Sequence, residues 1–411
     1  MVRPSRGPGR RPAGEAVGMT RPLAIVFAVA GGVAVGNLYW AQPLLELIGR
    51  DFGVSESSAG LIVTLTQVGY ALGVLLLVPL GDVLRRSRFI PVMMGLSALA
   101  LLGAALAPGY GVLLAMSAAI GVTTVSGQLL TPLTGDLADD ATRGQMIGIV
   151  GSGLLIGILS SRTLSGLVAG AAGWRAIFVV AAALSAVVSI ILWRAVPETA
   201  PKATIGYGAL IGSVFVVVRR TRAVRWTLAL GACGFASFTM FWTVMTFRLA
   251  SRPFGLDVTQ IGLVSLVGLV GALAAQQAGR LSDRGWSLPA TVVAWTLALL
   301  SWGIAAASGA SLVGLLAAVV LLDVAVQGQN LLNQVRLFEV APDARSRVNT
   351  AFVFTNFVAG ALGSALGSNV YALAGWQPVC AAGAVIAALA LLLWAVGART
   401  GTFTASVRPS G

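Results

Sequence analysis

The sequence predicts an all-α integral membrane protein in which twelve transmembrane helices form two parallel repeats of six. Three observations carry this prediction: an apolar composition, twelve apolar runs of spanning length, and an internal repeat of half the chain. Of 411 residues, 57% are hydrophobic and only 10% are charged, with a mean hydropathy of +0.89. A soluble globular chain carries about 25% charged residues, so we expect much of this surface to face lipid.

A transmembrane helix needs about 20 mostly apolar residues. Twelve such runs, called spans 1 to 12 below, begin near Pro22, Ser57, Phe89, Gly111, Gln145, Arg175, Val224, Gln260, Leu288, Ser311, Val348 and Gln377. The run after the basic tail 1–21 is too long for a signal peptide and has no evident cleavage site. We therefore expect six-helix bundles at 22–196 and 224–397, a cytoplasmic linker at 197–223, and a cytoplasmic tail at 398–411.

The basic residues orient the chain. With the N-terminus in the cytoplasm, 22 of the 27 lysines and arginines fall on the cytoplasmic side, four fall outside, and Arg162 lies within span 5. Because cytoplasmic loops are enriched in Lys and Arg, we expect a multi-pass protein of the cell (plasma or inner) membrane with both termini cytoplasmic. This distribution explains the net charge of +13 without a nucleic-acid partner. The linker stretch IGYGALIGSVFVVVRRTR is either an interfacial amphipathic helix or a partly ordered connection.

The two halves of the chain align at an offset of 201 or 202 residues. The matching positions are Phe52 and Phe254, Asp82 and Asp283, Gly127 and Gly328, Arg143 and Arg345, and Trp174 and Trp376. Matches spread along the half-chain indicate a duplicated six-helix unit. Since six is even, both copies insert in the same orientation, which predicts parallel halves around an axis along the membrane normal.

Two loops carry a recognisable motif. The loop after span 8 reads GRLSDRG and resembles the cytoplasmic G-x-x-x-D-R-x-G signature of major facilitator transporters, although its last glycine comes one residue early. The loop after span 2, VPLGDVLRRSR, keeps Asp82 and the trailing arginines but has Val78 and Val83 where the signature has Gly and Arg. Other stretches, such as GNLYWAQPLLELI and SGLLIGILSSRTLSG, resemble a bacterial branch of drug:proton antiporter-like efflux members. The resemblance implies the major facilitator fold.

Charged loops of this kind can act as gates, because a residue of either sign can pair with a helix end or with the other half and hold one conformation. The alternative is a solvated turn that obeys the positive-inside rule. The candidate gating residues are Asp82, Arg86, Asp283, Arg284, Arg143 and Arg345.

Two charges lie well inside spans, where charge is costly and suggests function. Asp323 lies about halfway along span 10, and Arg162 lies in the outer half of span 5. Because burial disfavours the charged carboxylate, an acid that alternately meets water and apolar surroundings can carry a proton, so Asp323 is the candidate for proton coupling. The alternative is a static bond or ion pair that fixes span 10, perhaps with Arg162, which itself could bind substrate or only pack.

Polar and aromatic residues are concentrated on few spans. The major facilitator resemblance implies that spans 1, 4, 7 and 10 line the cavity, and the polarity agrees with that map. The candidate substrate-binding residues are Asn37, Tyr39, Trp40, Gln42, Gln67, Gln128, Arg162, Phe241, Trp242, Gln327 and Asn330. Aromatics beside amides and one acid suit an amphipathic organic substrate. An interfacial aromatic belt is the competing explanation for Tyr39 and Trp40.

The leading functional hypothesis is a monomeric, proton-coupled exporter of a small amphipathic compound. An importer or facilitator of a small metabolite is the second, and a non-transporting membrane sensor is the third. Span 5 keeps most small residues of the family's antiporter motif, but Arg162 stands where that motif has Pro. The chain has no His, no ATP-binding G-x-x-x-x-G-K-[ST] loop and no catalytic constellation, so we expect no enzyme activity, cofactor or metal.

Overall fold

The computed structural model describes residues 18–199, 206–268 and 286–403, and these ranges contain helices and turns without strands. The α-helices are α1 Arg21–Gly36, α2 Leu45–Phe52, α3 Glu56–Leu76, α4 Leu80–Val83, α5 Arg86–Ala105, α6 Tyr110–Thr123, α7 Ser126–Leu137, α8 Arg143–Ala172, α9 Trp174–Ala195, α10 Tyr207–Arg220, α11 Arg222–Ala250, α12 Val258–Val264, α13 Ser287–Ala307, α14 Leu312–Val340, α15 Arg345–Ala374 and α16 Trp376–Arg399. Short 3₁₀ segments occupy Gln42–Leu44, Ser265–Gly268 and Pro342–Ala344.

Ten helices of the described ranges are long and apolar enough to cross a membrane, and they coincide with predicted spans 2 to 7 and 9 to 12. Shorter apolar helices, Arg21–Gly36 and Val258–Gly268, lie where spans 1 and 8 were predicted. The all-helical membrane fold is thus confirmed, and the full count of twelve spans stays a prediction. Large aliphatic side chains such as Leu99 and Leu373 stand exposed on the outer helix faces, as lipid contact requires.

Helices α1 to α9 form one set, the N-set, in which α1 packs along α8, α3 along α6, and α5 along α9. The α1–α8 contact is so close that a Cβ on Gly157 would meet the backbone of Gly32. Small residues at such crossings let membrane helices gain packing contacts. Helix α8 is therefore held tightly against α1.

Helices α11 to α16 form the second set, the C-set. Here α11 packs along α15 and α14, while α13 packs between α14 and α16. Its core is rich in aromatic residues, with Trp295 and Trp302 both fully buried. Helix α10, which precedes this set, contacts α11 and α15, and its Tyr207 hydroxyl donates to the Leu76 carbonyl oxygen of the N-set at 2.7 Å. Residues 207–220 of the predicted linker are therefore helical.

The two sets meet along α3 with α15 and along α8 with α12. The Tyr70 and Phe357 rings pack against each other across the first contact, with centroids 4.3 Å apart and ring planes tilted by 55°. At the second, a Cβ on Gly166 would lie 2.7 Å from Gly262 Cα, so the two backbones nearly touch. We call the end of the bundle that carries Asp51 the Asp51 end. The opposite end, reached along α3, is the Asp82 end.

Predicted span 1 is interrupted between Gly36 and Gln42. Pro43 explains part of the break, since it has no N–H and cannot continue the hydrogen-bond ladder of α1. Asn37 holds the break from within: its Nδ2 donates to Ser185 Oγ at 3.1 Å, and its Oδ1 accepts from Trp40 Nε1 at 2.9 Å. The interruption turns backbone carbonyls and the residues around Tyr39 toward the interface of the two sets.

Candidate functional site

The broken part of span 1 supplies one wall of the candidate site. The Trp40 carbonyl oxygen accepts from Ser165 Oγ of α8 at 2.5 Å, and the Gln42 carbonyl oxygen accepts from Thr246 Oγ1 of α11 at 2.9 Å. These hydroxyls satisfy carbonyl groups that the interrupted helix leaves free. Because Thr246 belongs to the C-set, its bond also joins the two sets at this point.

Arg162 of α8 lies beside this wall with only 2% of its surface exposed. Its Nε donates to Gln42 Oε1 at 2.8 Å. The guanidinium carbon lies 4.8 Å from the Tyr39 ring centroid and 4.4 Å from that of Trp242, with Phe238 at 5.5 Å. Aromatic faces attract a cation at such distances, so rings from both sets enclose the guanidinium.

Asp323 lies on α14 and is 4% exposed. Its Oδ1 accepts a hydrogen bond from Trp242 Nε1 at 3.0 Å. Gly268 packs against its other oxygen, and a Cβ at that position would collide with Asp323 Oδ2. The carboxylate therefore lies in a close-fitting, mostly apolar environment next to the 3₁₀ segment Ser265–Gly268.

Arg162 and Asp323 do not form a direct ion pair, since no ion pair within 4.0 Å joins these two described residues. They interact electrostatically at longer range. Trp242 connects them, with its ring face against Arg162 and its Nε1 on Asp323. The space lined by Arg162, Trp242, Thr246 and Ser265 is about 10 Å³, roughly enough for one water molecule, so the site is closed in this conformation.

The other predicted binding residues are distributed around this centre. Gln128 Nε2 donates to the Tyr70 hydroxyl at 3.0 Å. Gln67 is buried and its Oε1 has no hydrogen-bond partner among the described residues. Gln327 and Asn330 are half-buried on α14, the helix of Asp323.

Phe241 is placed elsewhere. Its ring packs edge-on against Trp302, with centroids 5.1 Å apart, and against Trp376 at 6.2 Å. All three lie in the core of the C-set. Phe241 therefore points away from Arg162, although its neighbour Trp242 contacts it.

Some residues at the site were not among the predicted binding residues, namely Ser165, Phe238, Thr246 and Ser265. Thr246 could have been found, because it follows Trp242 by four residues and so shares its helix face. Ser265 could not, since nothing local in its sequence distinguishes it from other span residues.

The predicted gating residues at the Asp82 end form a network inside the N-set. Arg86 donates through Nη2 to Asp82 at 2.5 Å, through Nη1 to Asp136 at 2.8 Å, and through Nε to the Gly81 carbonyl oxygen at 2.9 Å. The arginine thus ties α4 to α7 with its full planar fork. This arrangement fixes the shape of the Asp82 end within one set.

The remaining gating candidates are less enclosed. Arg143 pairs with the exposed Asp140 at 2.7 Å, and its Nε donates to the Gly135 carbonyl oxygen at 3.0 Å. Arg345 is exposed, with its guanidinium 5.9 Å from the Phe338 ring centroid. Asp283 and Arg284 lie outside the described residues.

The Asp51 end carries an ion pair of its own. Asp51 Oδ2 accepts from Arg175 Nη1 at 2.7 Å and from Trp174 Nε1 at 3.0 Å. These bonds, that from Arg175 above all, hold the pKa of Asp51 below its ordinary value. Nearby, a cavity of about 370 Å³ opens between the sets and is lined by Glu46, Glu56 and Tyr371 among others.

Comparison with known proteins gives the relatives of this chain. It is 40% identical over 383 residues to the uncharacterized transporter YgaY of Escherichia coli O157:H7, covering 92% of this chain and 97% of that protein. It is 32% identical over 375 residues to the probable transporter SCO4007 of Streptomyces coelicolor, covering 91% and 86%. Both relatives are named as transporters, in agreement with the expectation that this chain is not an enzyme.

Solved structures agree in fold. A bacterial homologue of the human lysosomal transporter Spinster, inward-facing and unoccupied, superposes with a TM-score of 0.74 at 16% identity over 94% of this chain and 98% of that one. The nucleoside transporter NupG gives a TM-score of 0.70 at 15% identity over 91% and 99%. The sequence pattern of the Major Facilitator Superfamily matches residues 27–328 and 227–406. With most of its length covered by that pattern and by transporter relatives, the chain belongs to the Major Facilitator Superfamily.

Proposed function

We propose that this protein is a proton-coupled secondary transporter that exports a small amphipathic organic compound by alternating access. One observation carries the proposal: a buried acid of the C-set, Asp323, and a buried base of the N-set, Arg162, meet at Trp242 on the interface between the sets. A group placed there changes its surroundings whenever the two sets move against each other.

The energetic cost of these charges supports a functional role. Ionisable groups inside the membrane are expensive and line transport pathways far more often than they stabilise a scaffold. Asp323 has a single direct hydrogen bond in the described structure, from Trp242. A carboxylate that is so sparsely bonded can exchange a proton when an opening of the bundle brings water to it.

In this proposal Asp82 and Arg86 set the equilibrium between the inward-open and outward-open states, because they stabilise the Asp82 end of the N-set. Their network keeps α4 and α7 in one arrangement, and a rigid end moves as one piece. The corresponding loop of the second repeat, with Asp283 and Arg284, is proposed to act in the same way on the grounds of repeat symmetry alone.

The decisive test is pH-gradient-driven transport in proteoliposomes with a panel of amphipathic compounds. Asp323→Asn keeps the size and one acceptor for Trp242 Nε1 but cannot ionise, so uphill transport should vanish while downhill exchange persists. Asp140→Asn is the matched control, because Asp140 lies on the surface with its side chain 91% exposed. Uphill transport undiminished in Asp323→Asn would remove Asp323 as the proton carrier.

The proposed topology has twelve spans and both termini in the cytoplasm. Single cysteines test it in intact cells. A cysteine at Arg252, near the Asp51 end, should react with an impermeant thiol reagent from outside, and one at Arg220, at the end of α10, should not. The reverse labelling pattern would show that the protein has the opposite orientation in the membrane.

Uptake or facilitated passage of a small metabolite is the second candidate function. One observation favours it: Arg162 Nη2 is buried and has no hydrogen-bond partner in the described structure. An unfilled donor on a cation suits an anionic solute better than a cationic one.

A further inference from the structure

The guanidinium of Arg162 has N–H donors without a hydrogen-bond partner among the described residues. A guanidinium has five N–H donors, and the bond from Nε to Gln42 is the one that the described residues provide. Nη2 is buried without a partner. No carboxylate oxygen of the described residues lies within 4.0 Å of this guanidinium.

Aromatic rings of the described residues cover the faces of the Arg162 guanidinium. Tyr39 and Trp242 present their faces to the guanidinium at 4.8 and 4.4 Å. Ring faces attract the charge, but they leave the planar N–H fork unfilled. That fork matches the two oxygens of a carboxylate, and the surrounding rings suit an apolar body attached to it.

The enclosing groups come from both sets, which explains how a solute reaches a site with so little free space. Tyr39 and Arg162 belong to the N-set, whereas Phe238 and Trp242 belong to α11 of the C-set. Separation of the sets therefore lifts two rings off the guanidinium and uncovers its donors.

We propose that Arg162 binds the carboxylate of a small amphipathic organic anion, and that this anion and a proton on Asp323 occupy the site together. The proposal rests on the proposed function in that Asp323 exchanges a proton and the chain carries an amphipathic compound. It adds the charge of the solute and the sense of its coupling to the proton.

Charge balance in the buried site gives the coupling. With Asp323 ionised, Arg162 and Asp323 together are neutral, and a bound anion would leave one uncompensated negative charge. With Asp323 protonated, Arg162 and the anion are neutral together. Because an uncompensated buried charge is costly, the protonated site binds the anion more tightly, and the anion in turn favours the protonated site.

The other charged groups that the structure describes stand farther from this site. Besides Arg162, the titratable side chain that borders the site is Tyr39. The other charged or titratable groups on α14 and on the elements packed against it lie near helix ends or in the C-set core. They are Arg222, Arg225, Cys233, Arg248, Arg336, Glu339, Asp343, Arg345, Arg347 and Tyr371. Among the residues with a described position, the balance of charge at the site is thus set by Arg162 and Asp323.

Proton and anion then cross the membrane in the same direction. A proton gradient directed into the cell would drive uptake of the anion, so this inference favours the second candidate direction over export. The binding site itself is the same for both directions.

The test is binding by the purified protein in detergent, without any gradient, of naphthoate, octanoate and phenylbutyrate against their uncharged amides. We expect at least one carboxylate to bind at least tenfold more tightly than its amide. Its affinity should fall by up to tenfold per pH unit where Asp323 ionises, with about one proton taken up per anion bound. Asp323→Asn should keep the binding and lose the pH dependence.

Arg162→Gln should reduce carboxylate binding to the level of the amide, while Arg162→Lys should retain part of it. Arg194→Gln is the control, since Arg194 is exposed at the end of α9, and it should bind as the unmutated protein does. If Arg162→Gln does not fold, the carboxylate–amide comparison and Asp323→Asn decide the matter.

Three results would overturn the inference: amides that bind as well as their acids, no binding by any of the three carboxylates, or binding that tightens as the pH rises. None of these depends on transport. Failure of the proposed function is read separately, as absence of gradient-driven flux in proteoliposomes.

Discussion

Arg86 offers the sharpest test of how the Asp82 end is held together. Its side chain is 9% exposed and donates three hydrogen bonds, to Asp82, Asp136 and the Gly81 carbonyl oxygen. Arg86→Lys keeps the positive charge but replaces a planar fork by a single ammonium. From the spread of these three acceptors we expect the lysine to keep one of the bonds and to lose two.

The magnitude follows from the exposure of the partners. A hydrogen bond to a charged group contributes about 1.5–3 kcal/mol when buried. The two aspartate side chains are 34% and 31% exposed, so solvent screening reduces each bond to about 1 kcal/mol. The free energy of unfolding should therefore fall by about 2 kcal/mol.

The assay is a detergent-driven unfolding titration followed by tryptophan fluorescence. Arg143→Lys is the matched control, because Arg143 is 49% exposed and pairs with an aspartate that is 91% exposed. Its unfolding free energy should change by less than about 0.5 kcal/mol. Equal losses in the two variants would refute the view that the geometry of the fork, and not charge alone, stabilises this end.

Two further perturbations test other contacts. Gly157→Ala should destabilise the protein by about 1–3 kcal/mol, because its Cβ would meet the backbone of Gly32. Gly148→Ala on the same helix is the control, since a Cβ there meets nothing within 4 Å. Equal thermal stabilities of the two variants would contradict the close α1–α8 contact. Asp51→Asn should be less stable than the unmutated protein at neutral pH. Arg175 lowers the pKa of Asp51 in the folded state. The stability that the ionised Asp51 contributes is therefore present above pH about 4 and is lost as the pH falls through its folded pKa. A difference in stability between the two proteins that persists in acid would count against the ion pair.

The helix positions could be predicted because the spanning length is a property of local composition. The predicted start of span 5 at Gln145 and the observed start of α8 at Arg143 differ by two residues, and span 9 at Leu288 differs from α13 at Ser287 by one. The break in span 1 was not predicted. Pro43 hinted at it, but the bond from Asn37 to Ser185 that holds it joins residues 148 apart in the chain.

The site could be predicted in part for a similar reason. Asp323 and Arg162 were identified because a charge within an apolar run is visible in the sequence itself. Their connection through Trp242 was not, since it depends on how two helices of different sets pack. Composition also could not separate Phe241 from Trp242, because the direction of adjacent side chains depends on the rotation of α11 about its axis.

The near contact of Gly166 with Gly262 places a fulcrum close to one end of a long lever. Helix α8 runs from Arg143 to Ala172, so at about 1.5 Å per residue the fulcrum lies roughly 9 Å from one tip and roughly 35 Å from the other. A swing of about 10° around it would carry the near tip about 1.5 Å and the far tip about 6 Å. If the two sets rock about this contact in the proposed alternating access, unequal arms of this kind would turn a slight loosening beside Asp51 into a gap of several Å beside Asp82.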